Sequence, residues 1–287
     1  MDRREFLEKV GILGAAAAAC GWETVAGAAE GAPKTLPRIK LGSLEVSRLI
    51  LGTNPFGGWA HKPGDIGKEM KAYYTDERIM ATLEEAAECG ITAVAGPPDE
   101  WWTRMYKRYL DGGGKLRTWI AQPHKQPPEI LDEMKYAVDW GAKAIFIQGH
   151  KVEDQFEKGT FDVVVTWIEL IHKLGVPAGI AAHRQDVHLE AQKRGFPNDF
   201  YFQCMYNVAH GDSFEKGDPA KAAEVIQKLE KPVVAYKILG AGRVPAKEGF
   251  EFAFKSIRAK DGVCVGVYTK GQPQQIREDS DLARKLS

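Results

Sequence analysis

Features that often direct the interpretation of a sequence are scarce in this one. Its 287 residues include only four cysteines, and none lies close to another, so a disulfide framework is not predicted. Thirty-nine basic residues balance thirty-nine acidic residues, so net charge indicates neither nucleic acid nor an anionic membrane as a partner. The apolar run Val10–Ala19 is too short for a stable membrane anchor. With 44% hydrophobic residues, the chain is predicted to be globular.

The amino terminus has the features of an export signal. Arg3 and Arg4 precede an uncharged, alanine-rich segment that ends at Ala19. Residues 1–30 therefore resemble a twin-arginine signal peptide. The resemblance implies that the protein folds in the cytoplasm, has the twin-arginine export machinery as a partner, and reaches the periplasm or another extracytoplasmic compartment.

Two routes of processing follow from this signal. Small residues cluster from Ala26 to Ala29, where cleavage would release a protein without membrane attachment. The alternative is lipid attachment at Cys20, which would leave the mature protein anchored. Residues 31–37 are predicted to be a linker, and residues 38–287 to be one domain.

Short apolar runs recur through that domain, with helical spacing between them. Ala144–Ile147 is too short for a helix and is flanked by Gly141 and Gly149, as expected of a parallel strand buried on both faces. Eight such runs, about 25 to 35 residues apart, predict one (β/α)8 TIM barrel with a short β-hairpin before it. The predicted strands are Arg48–Thr53, Ile91–Ala95, Arg117–Ala121, Ala144–Ile147, Val176–Ala181, Phe200–Cys204, Val233–Tyr236 and Val263–Tyr268.

Histidines follow three neighbouring strands of this barrel. His124, His150 and His183 come just beyond strands three, four and five, at the end where barrel enzymes carry out chemistry. Three imidazoles that converge on an open site would suit zinc or a similar divalent cation. The alternative is that they bind substrate or satisfy loop carbonyls.

Other polar residues are expected on the same rim. Gln122, Gln148 and Tyr206 are predicted, with His124, to bind substrate. Lys237 follows strand seven, where an amine of lowered pKa could act as a base or form a Schiff base. The alternative for this amine is an ion pair with a carboxylate such as Glu100.

Tryptophans are predicted in two rim loops. Trp59 lies in the loop after strand one, and Trp101 and Trp102 lie in the loop after strand two. They could form a wall that stacks on a sugar ring or a nicotinamide. The alternative is that they cap the barrel core.

Four segments, in chain order, resemble those of the aldo-keto reductases. Ile39–Leu49 is similar to the family's opening hairpin and first strand, and Gln203–Asn207 to its Gln-x-x-Tyr-Asn motif. Ala235–Gly242 resembles the stretch whose tyrosine stacks on nicotinamide, and Lys270 the start of the segment that holds the NADP phosphate. The resemblance implies a (β/α)8 barrel, with NADP(H) bound by Gln203, Tyr236 and Lys270.

The catalytic positions depart from that family. Its members use an Asp, Tyr, Lys and His tetrad, in which the tyrosine protonates the carbonyl oxygen as hydride arrives. Only His150 matches: Ala95 stands at the aspartate position, and the tyrosine position falls near Glu100. Ala181 and Ala182 replace the Ser-Asn pair that would hold the carboxamide.

These departures predict non-standard acid–base chemistry, in one form assisted by a metal, on a small carbonyl compound or carbohydrate. The expected catalytic residues are His150, His183, Lys237 and Glu100. A divergent NADP(H)-dependent oxidoreductase and a non-catalytic ligand-binding barrel are the alternatives.

Overall fold

The computed structural model describes residues 35–207 and 218–287. The predicted signal peptide, residues 1–30, and most of the predicted linker, residues 31–37, lie outside the described residues. Within the two described ranges the chain forms ten strands and eleven helices. None of these described helices combines the length and apolar character needed to cross a membrane.

Eight parallel strands form a closed barrel, which confirms the predicted (β/α)8 fold. Their order around the barrel follows their order in the sequence, and the last strand pairs with the first, with Val263 opposite Leu49. The strands are β3 (Leu49–Gly52), β4 (Ala93–Gly96), β5 (Thr118–Ala121), β6 (Ala144–Ile147), β7 (Ala178–Ala182), β8 (Phe200–Cys204), β9 (Val233–Tyr236) and β10 (Gly262–Gly266). Every predicted strand is present, and the observed ends differ from the predicted ones by no more than two residues.

The predicted hairpin is also present and closes one end of the barrel. Strands β1 (Arg38–Leu41) and β2 (Leu44–Ser47) pair in antiparallel register. Their inward side chains pack with the apolar residues of the barrel interior. Gly42, at the turn, approaches Pro177, which precedes β7. The hairpin therefore covers the end of the barrel where the strands begin. The other end, where the strands finish, remains accessible for a functional site.

Helices cover the outside of the barrel. The observed helices are α1 (Asn54–Gly57), α2 (Ile66–Tyr73), α3 (Asp76–Glu88), α4 (Glu100–Asp111), α5 (Glu129–Asp139), α6 (Gly149–Glu157), α7 (Val163–Lys173), α8 (Gln185–Lys193), α9 (Asp218–Lys228), α10 (Ala246–Ser256) and α11 (Gln275–Leu286). The sequence pattern did not predict α1, α2, α4 or α6. Helix α6 has only nine residues, and only Val152 and Phe156 form its apolar face. Its hydrophobic periodicity is therefore too weak to predict a helix from the sequence.

The predicted loop placement of Trp101 and Trp102 is wrong. Both residues lie in the first turn of α4. Trp102 is fully buried and stacks on Tyr106 with ring centroids 5.3 Å apart, whereas Trp101 is partly exposed on the other side of the helix. Trp102 therefore packs in the core between barrel and helix, not over the barrel interior, and burial of its large ring outweighs the modest helix propensity of aromatic residues.

Candidate active site

A cavity of about 780 Å³ opens at the ends of the barrel strands, opposite the hairpin. Phe146 and Phe202 lie at the inner side of this cavity, where their rings stack with centroids 3.9 Å apart. The segment after β3, which includes Trp59, forms part of the wall. Eight of the predicted site residues line the cavity, namely Gln122, His124, Gln148, His150, His183, Tyr236, Lys237 and Lys270.

Two of these histidines share a carboxylate that the sequence did not single out. His183 Nδ1 lies 3.1 Å from Glu153 Oε2, and His150 Nδ1 lies 3.6 Å from the same oxygen. The two imidazole rings stack with centroids 4.4 Å apart. We call His150, Glu153 and His183 the histidine–glutamate centre.

Helix α6 and strand β7 bring the centre together. Gln148 is the N-cap of α6, so His150 and Glu153 are three residues apart on one helical face. His150, predicted just beyond strand four, lies in the first turn of α6, and its side chain is 49% exposed. His183 is the residue after β7. A Cβ on Gly149 would lie 3.0 Å from His183 Nδ1, so glycine at this position leaves room for the imidazole.

Glu153 is held in place by the backbone as well. Its Oε1 accepts hydrogen bonds from the backbone N–H groups of His183 and Arg184, at 2.5 and 2.8 Å. Burial alone would raise the pKa of Glu153, but hydrogen bonds from His183 and from these two backbone groups outweigh it and hold the pKa at about 2. Burial lowers the pKa of His183, against an opposing hydrogen bond from Glu153. At neutral pH the centre therefore contains an ionised carboxylate and a neutral His183.

Lys237 lies at the same cavity in a conformation that favours glycine. Its φ is 55°, directly after β9, and non-glycine residues in this region often mark functional sites. Its Nζ is buried, without a hydrogen-bond partner among the described residues, and burial lowers the pKa of the amine. The proposed ion pair with Glu100 does not form, because Glu100 pairs with Arg104 on the exposed face of α4. Glu100 is not among the residues that line the cavity.

The predicted three-histidine metal site is not assembled. His124 contacts a different pair of carboxylates: its Nδ1 lies 3.2 Å from Glu133 Oε1, and its Nε2 lies 3.7 Å from Asp99 Oδ1. Within residues 35–207 and 218–287, no group of ligand atoms joins His124 to His150 and His183 within 4.8 Å. His124 follows β5, one strand away from His150 and two strands away from His183, and it contacts its own pair of carboxylates there.

The predicted cofactor residues are only partly brought together. Tyr236 and Lys270 line the cavity, although Lys270 forms a 2.6 Å ion pair with Glu69. Gln203 is fully buried and bonds to His188 Nδ1 of α8 at 2.8 Å. Alternate side chains of a strand face opposite sides, so Phe202 faces the interior and Gln203 faces the helices.

Two further residues alter the predicted set. Tyr206 is buried beside Phe252 and does not line the cavity. His61, which the sequence analysis did not single out, lines the cavity, and burial, followed by the charge of Lys237, lowers its pKa to about 4. No local motif marks His61, since the wall to which it belongs is formed by α1 and α2, which the pattern did not predict.

Comparison with known proteins yields structural neighbours only. No protein-family model matches the sequence, and no curated protein matches it either. Two solved structures from Pseudomonas aeruginosa, described as aldo-keto reductases, share 16% and 17% identity with this chain. They cover 89% and 88% of it and 98% and 97% of their own lengths, with TM-scores of 0.63 and 0.61.

A third neighbour gives the same result. The holo form of an aldo-keto reductase from Bacillus halodurans shares 13% identity, covers 88% of this chain and 96% of its own, and has a TM-score of 0.54. Structural similarity at such low sequence identity establishes the fold. The activity has to be inferred from the residues of the site. The chain has the aldo-keto reductase-like (β/α)8 barrel that its motifs predicted.

Proposed function

We propose that this protein is an enzyme that carries out acid–base chemistry, without hydride transfer, on a small polar carbonyl compound or a carbohydrate. One observation carries the proposal: a single cavity is lined by Lys237, whose buried amine has no hydrogen-bond partner among the described residues, and by His150 and His183 of the histidine–glutamate centre. Perturbed ionisable groups that share a cleft are typical of catalytic sites.

Each part of the site has a chemical role in this proposal. Lys237, whose pKa burial lowers, accepts a proton from the carbon next to the substrate carbonyl. Negative charge then develops on the carbonyl oxygen, which accepts a hydrogen bond from the imidazole of His150. General acid–base catalysis of this kind accelerates a reaction by about 10² to 10⁴-fold, and stabilisation of the oxyanion adds to that.

The rest of the cavity suits a small polar ligand. Its volume of about 780 Å³ lies within the range of about 300 to 1,000 Å³ that is usual for small-molecule sites. Gln122 and Gln148 supply amide groups that can bind hydroxyls, and Trp59 supplies a ring face for a sugar.

A second candidate function is NADP(H)-dependent reduction. Tyr236 and Lys270 favour it, because both line the cavity. Against it stand Ala181 and Ala182 at the carboxamide positions and the orientation of Gln203 towards His188.

Deuterium exchange into a panel of aldoses, ketoses and short hydroxy-ketones tests the proposed chemistry. We expect the protein in D₂O to exchange the proton next to the carbonyl in at least one of these compounds, without added nucleotide. Lys237→Met should slow exchange by about a hundredfold or more. Lys143→Met is the matched control, since Lys143 is exposed ahead of β6 at the other end of the barrel. NMR measures the exchange.

Two outcomes would count against acid–base chemistry. Exchange that is equally fast in the Lys237→Met protein would remove Lys237 from the mechanism. Tight binding of a sugar with no exchange in any compound of the panel would favour a ligand-binding barrel.

We also propose that the protein is exported, on the basis of Arg3, Arg4 and the weakly apolar segment after them. Arg3→Lys combined with Arg4→Lys is expected to leave the precursor in the cytoplasm, because the arginine pair is the distinctive feature of the signal. Cell fractionation and immunoblotting measure this. Unchanged export of the double variant would contradict the assignment.

A further inference from the structure

We infer that the histidine–glutamate centre binds a divalent transition-metal cation, with His150, Glu153 and His183 as its three protein ligands. This inference deepens the proposed function, on which it rests, by naming the group that would bind the substrate oxygen. Two imidazoles and one carboxylate suit Zn²⁺, Co²⁺, Ni²⁺ or Fe²⁺ rather than Mg²⁺ or Ca²⁺, which prefer oxygen ligands.

The spacing of the three ligand atoms supports this inference. A first-row cation holds nitrogen and oxygen ligands at about 2.0 to 2.2 Å, which puts neighbouring ligand atoms about 3.0 to 3.5 Å apart in tetrahedral or octahedral geometry. Glu153 Oε2 lies 3.1 Å from His183 Nδ1 and 3.6 Å from His150 Nδ1. One ligand atom from each of the three residues lies within 4.8 Å of those of the other two, so small side-chain shifts would close the site around an ion.

A hydrogen bond explains only one of the two contacts that the histidines make with Glu153. The 3.1 Å contact between His183 and Glu153 is a normal hydrogen bond. The 3.6 Å contact from His150 to the same oxygen is too long for one. The His150 ring nevertheless stacks on the His183 ring, with both Nδ1 atoms near the same carboxylate. An ion shared by the three groups would account for both contacts.

Binding of a cation would change the bonding between His183 and Glu153. A cation needs a deprotonated carboxylate and a neutral imidazole. When an ion binds, the Nδ1 proton that His183 shares with Glu153 is released to solvent, and the nitrogen lone pair bonds to the metal.

Neighbouring groups would hold these ligands in place. The backbone N–H groups of His183 and Arg184 occupy Glu153 Oε1 and leave Oε2 for the ion. Such supporting hydrogen bonds are usual around metal ligands. The space left by Gly149 lets His183 approach, and the cavity provides access for the ion. Three protein ligands leave at least one position open for a substrate oxygen, which the cation would polarise.

His124 provides a matched control for this site. It also lies beside two carboxylates, Asp99 and Glu133, but they face opposite nitrogens of its ring. Glu133 Oε2 is occupied by the backbone N–H groups of His124 and Lys125, at 2.7 and 2.8 Å. One ligand atom from each of these three residues also lies within 4.8 Å of the others. The shortest carboxylate contacts are nevertheless to opposite nitrogens of one imidazole, which a single ion cannot use together, so we expect weaker cation binding here.

Metal titration tests the inference on the full chain, prepared without a histidine tag and stripped with a chelator. We expect one Zn²⁺ per chain with a Kd of about 1 μM or tighter, and Co²⁺ binding with visible absorption, but no uptake of Mg²⁺. His150→Ala should weaken Zn²⁺ binding by about tenfold or more and Glu153→Gln by about a hundredfold. His124→Ala should bind Zn²⁺ as the wild type does. Calorimetry and elemental analysis measure binding, and circular dichroism checks that each variant is folded.

Several results would overturn the inference. The first is that folded wild-type protein takes up no Zn²⁺. The second is that Zn²⁺ binding is unchanged in both His150→Ala and Glu153→Gln. The third is that Zn²⁺ binding is lost in His124→Ala. The proposed function fails separately: one Zn²⁺ per chain without deuterium exchange would leave the metal site in place and contradict the chemistry. If deuterium exchange is equally fast after the metal has been removed with a chelator, the metal has no role in the exchange reaction, but the metal site itself is not contradicted.

Discussion

The Glu153→Gln protein is expected to unfold at a temperature roughly 6 to 12 °C lower than the wild type at pH 7, on the basis of about 2 to 4 °C per kcal/mol for a domain of this size. Glu153 has a pKa of about 2 instead of 4.5. Each pKa unit corresponds to about 1.4 kcal/mol, so the ionised carboxylate contributes about 3 kcal/mol to the free energy of unfolding. Glutamine keeps the size of the side chain but loses this charge.

The pH dependence of this effect has a definite sign. The folded protein holds the Glu153 carboxyl at a lower pKa than the unfolded chain does, so the stabilisation is present above about pH 4.5. It is lost as the pH falls through about 2, below which the carboxyl is protonated in both states. The difference in melting temperature between wild type and Glu153→Gln should therefore shrink steadily below pH 4.5. Thermal unfolding followed by circular dichroism at pH 7 and at pH 3 measures it.

Glu157 provides the control for this comparison. It lies one turn further along α6 and pairs with Arg184 at 2.9 Å, but its side chain is 58% exposed. Exposed ion pairs contribute little to stability, so Glu157→Gln should melt within about 2 °C of the wild type. Equal melting temperatures for Glu153→Gln and the wild type at pH 7 would show that the charge of Glu153 does not stabilise the contact between α6 and the end of β7.

NADPH is expected to bind weakly or not at all, with no saturation below roughly 100 μM, because several of the hydrogen bonds that would hold it are absent. Ala181 and Ala182 cannot bond to a carboxamide, and Gln203 is committed to His188 and to the carbonyl oxygen of Cys204. Lys270 is paired with Glu69, so a cofactor phosphate would have to displace that carboxylate.

The magnitude follows from the number of lost contacts. Two or three missing hydrogen bonds, some of them to charged groups, cost several kcal/mol, or a hundredfold or more in affinity. Fluorescence titration with NADPH measures the binding, and Glu69→Gln, which frees Lys270, is the informative variant. Binding at micromolar concentration or tighter, with carbonyl-dependent oxidation of NADPH, would establish the reductase alternative and contradict the proposed chemistry.

Local patterns were sufficient to predict the barrel. Short apolar runs such as Ala144–Ile147 and Val233–Tyr236 have strand length, and the helices between them mostly have clear periodicity. Strand ends in a barrel of this kind lie on one rim, so the rim positions of His124, His150, His183 and Lys237 followed from sequence order. These features depend on neighbours within a few residues, which a sequence displays directly.

The composition of the site depended on contacts between distant parts of the chain. Glu153 and His183 are 30 residues apart, on a helix and after the next strand, and no local signal links them. Side chains alternate between the two faces of β8, so a shift of one residue would turn Gln203 from the helices to the barrel interior. His124 was grouped with two other histidines on strand order alone, yet two nearby carboxylates hold it elsewhere. Chain order therefore determined which residues reach the rim, whereas tertiary packing decided which of them share a carboxylate, since that depends on distances of a few ångströms between separate elements.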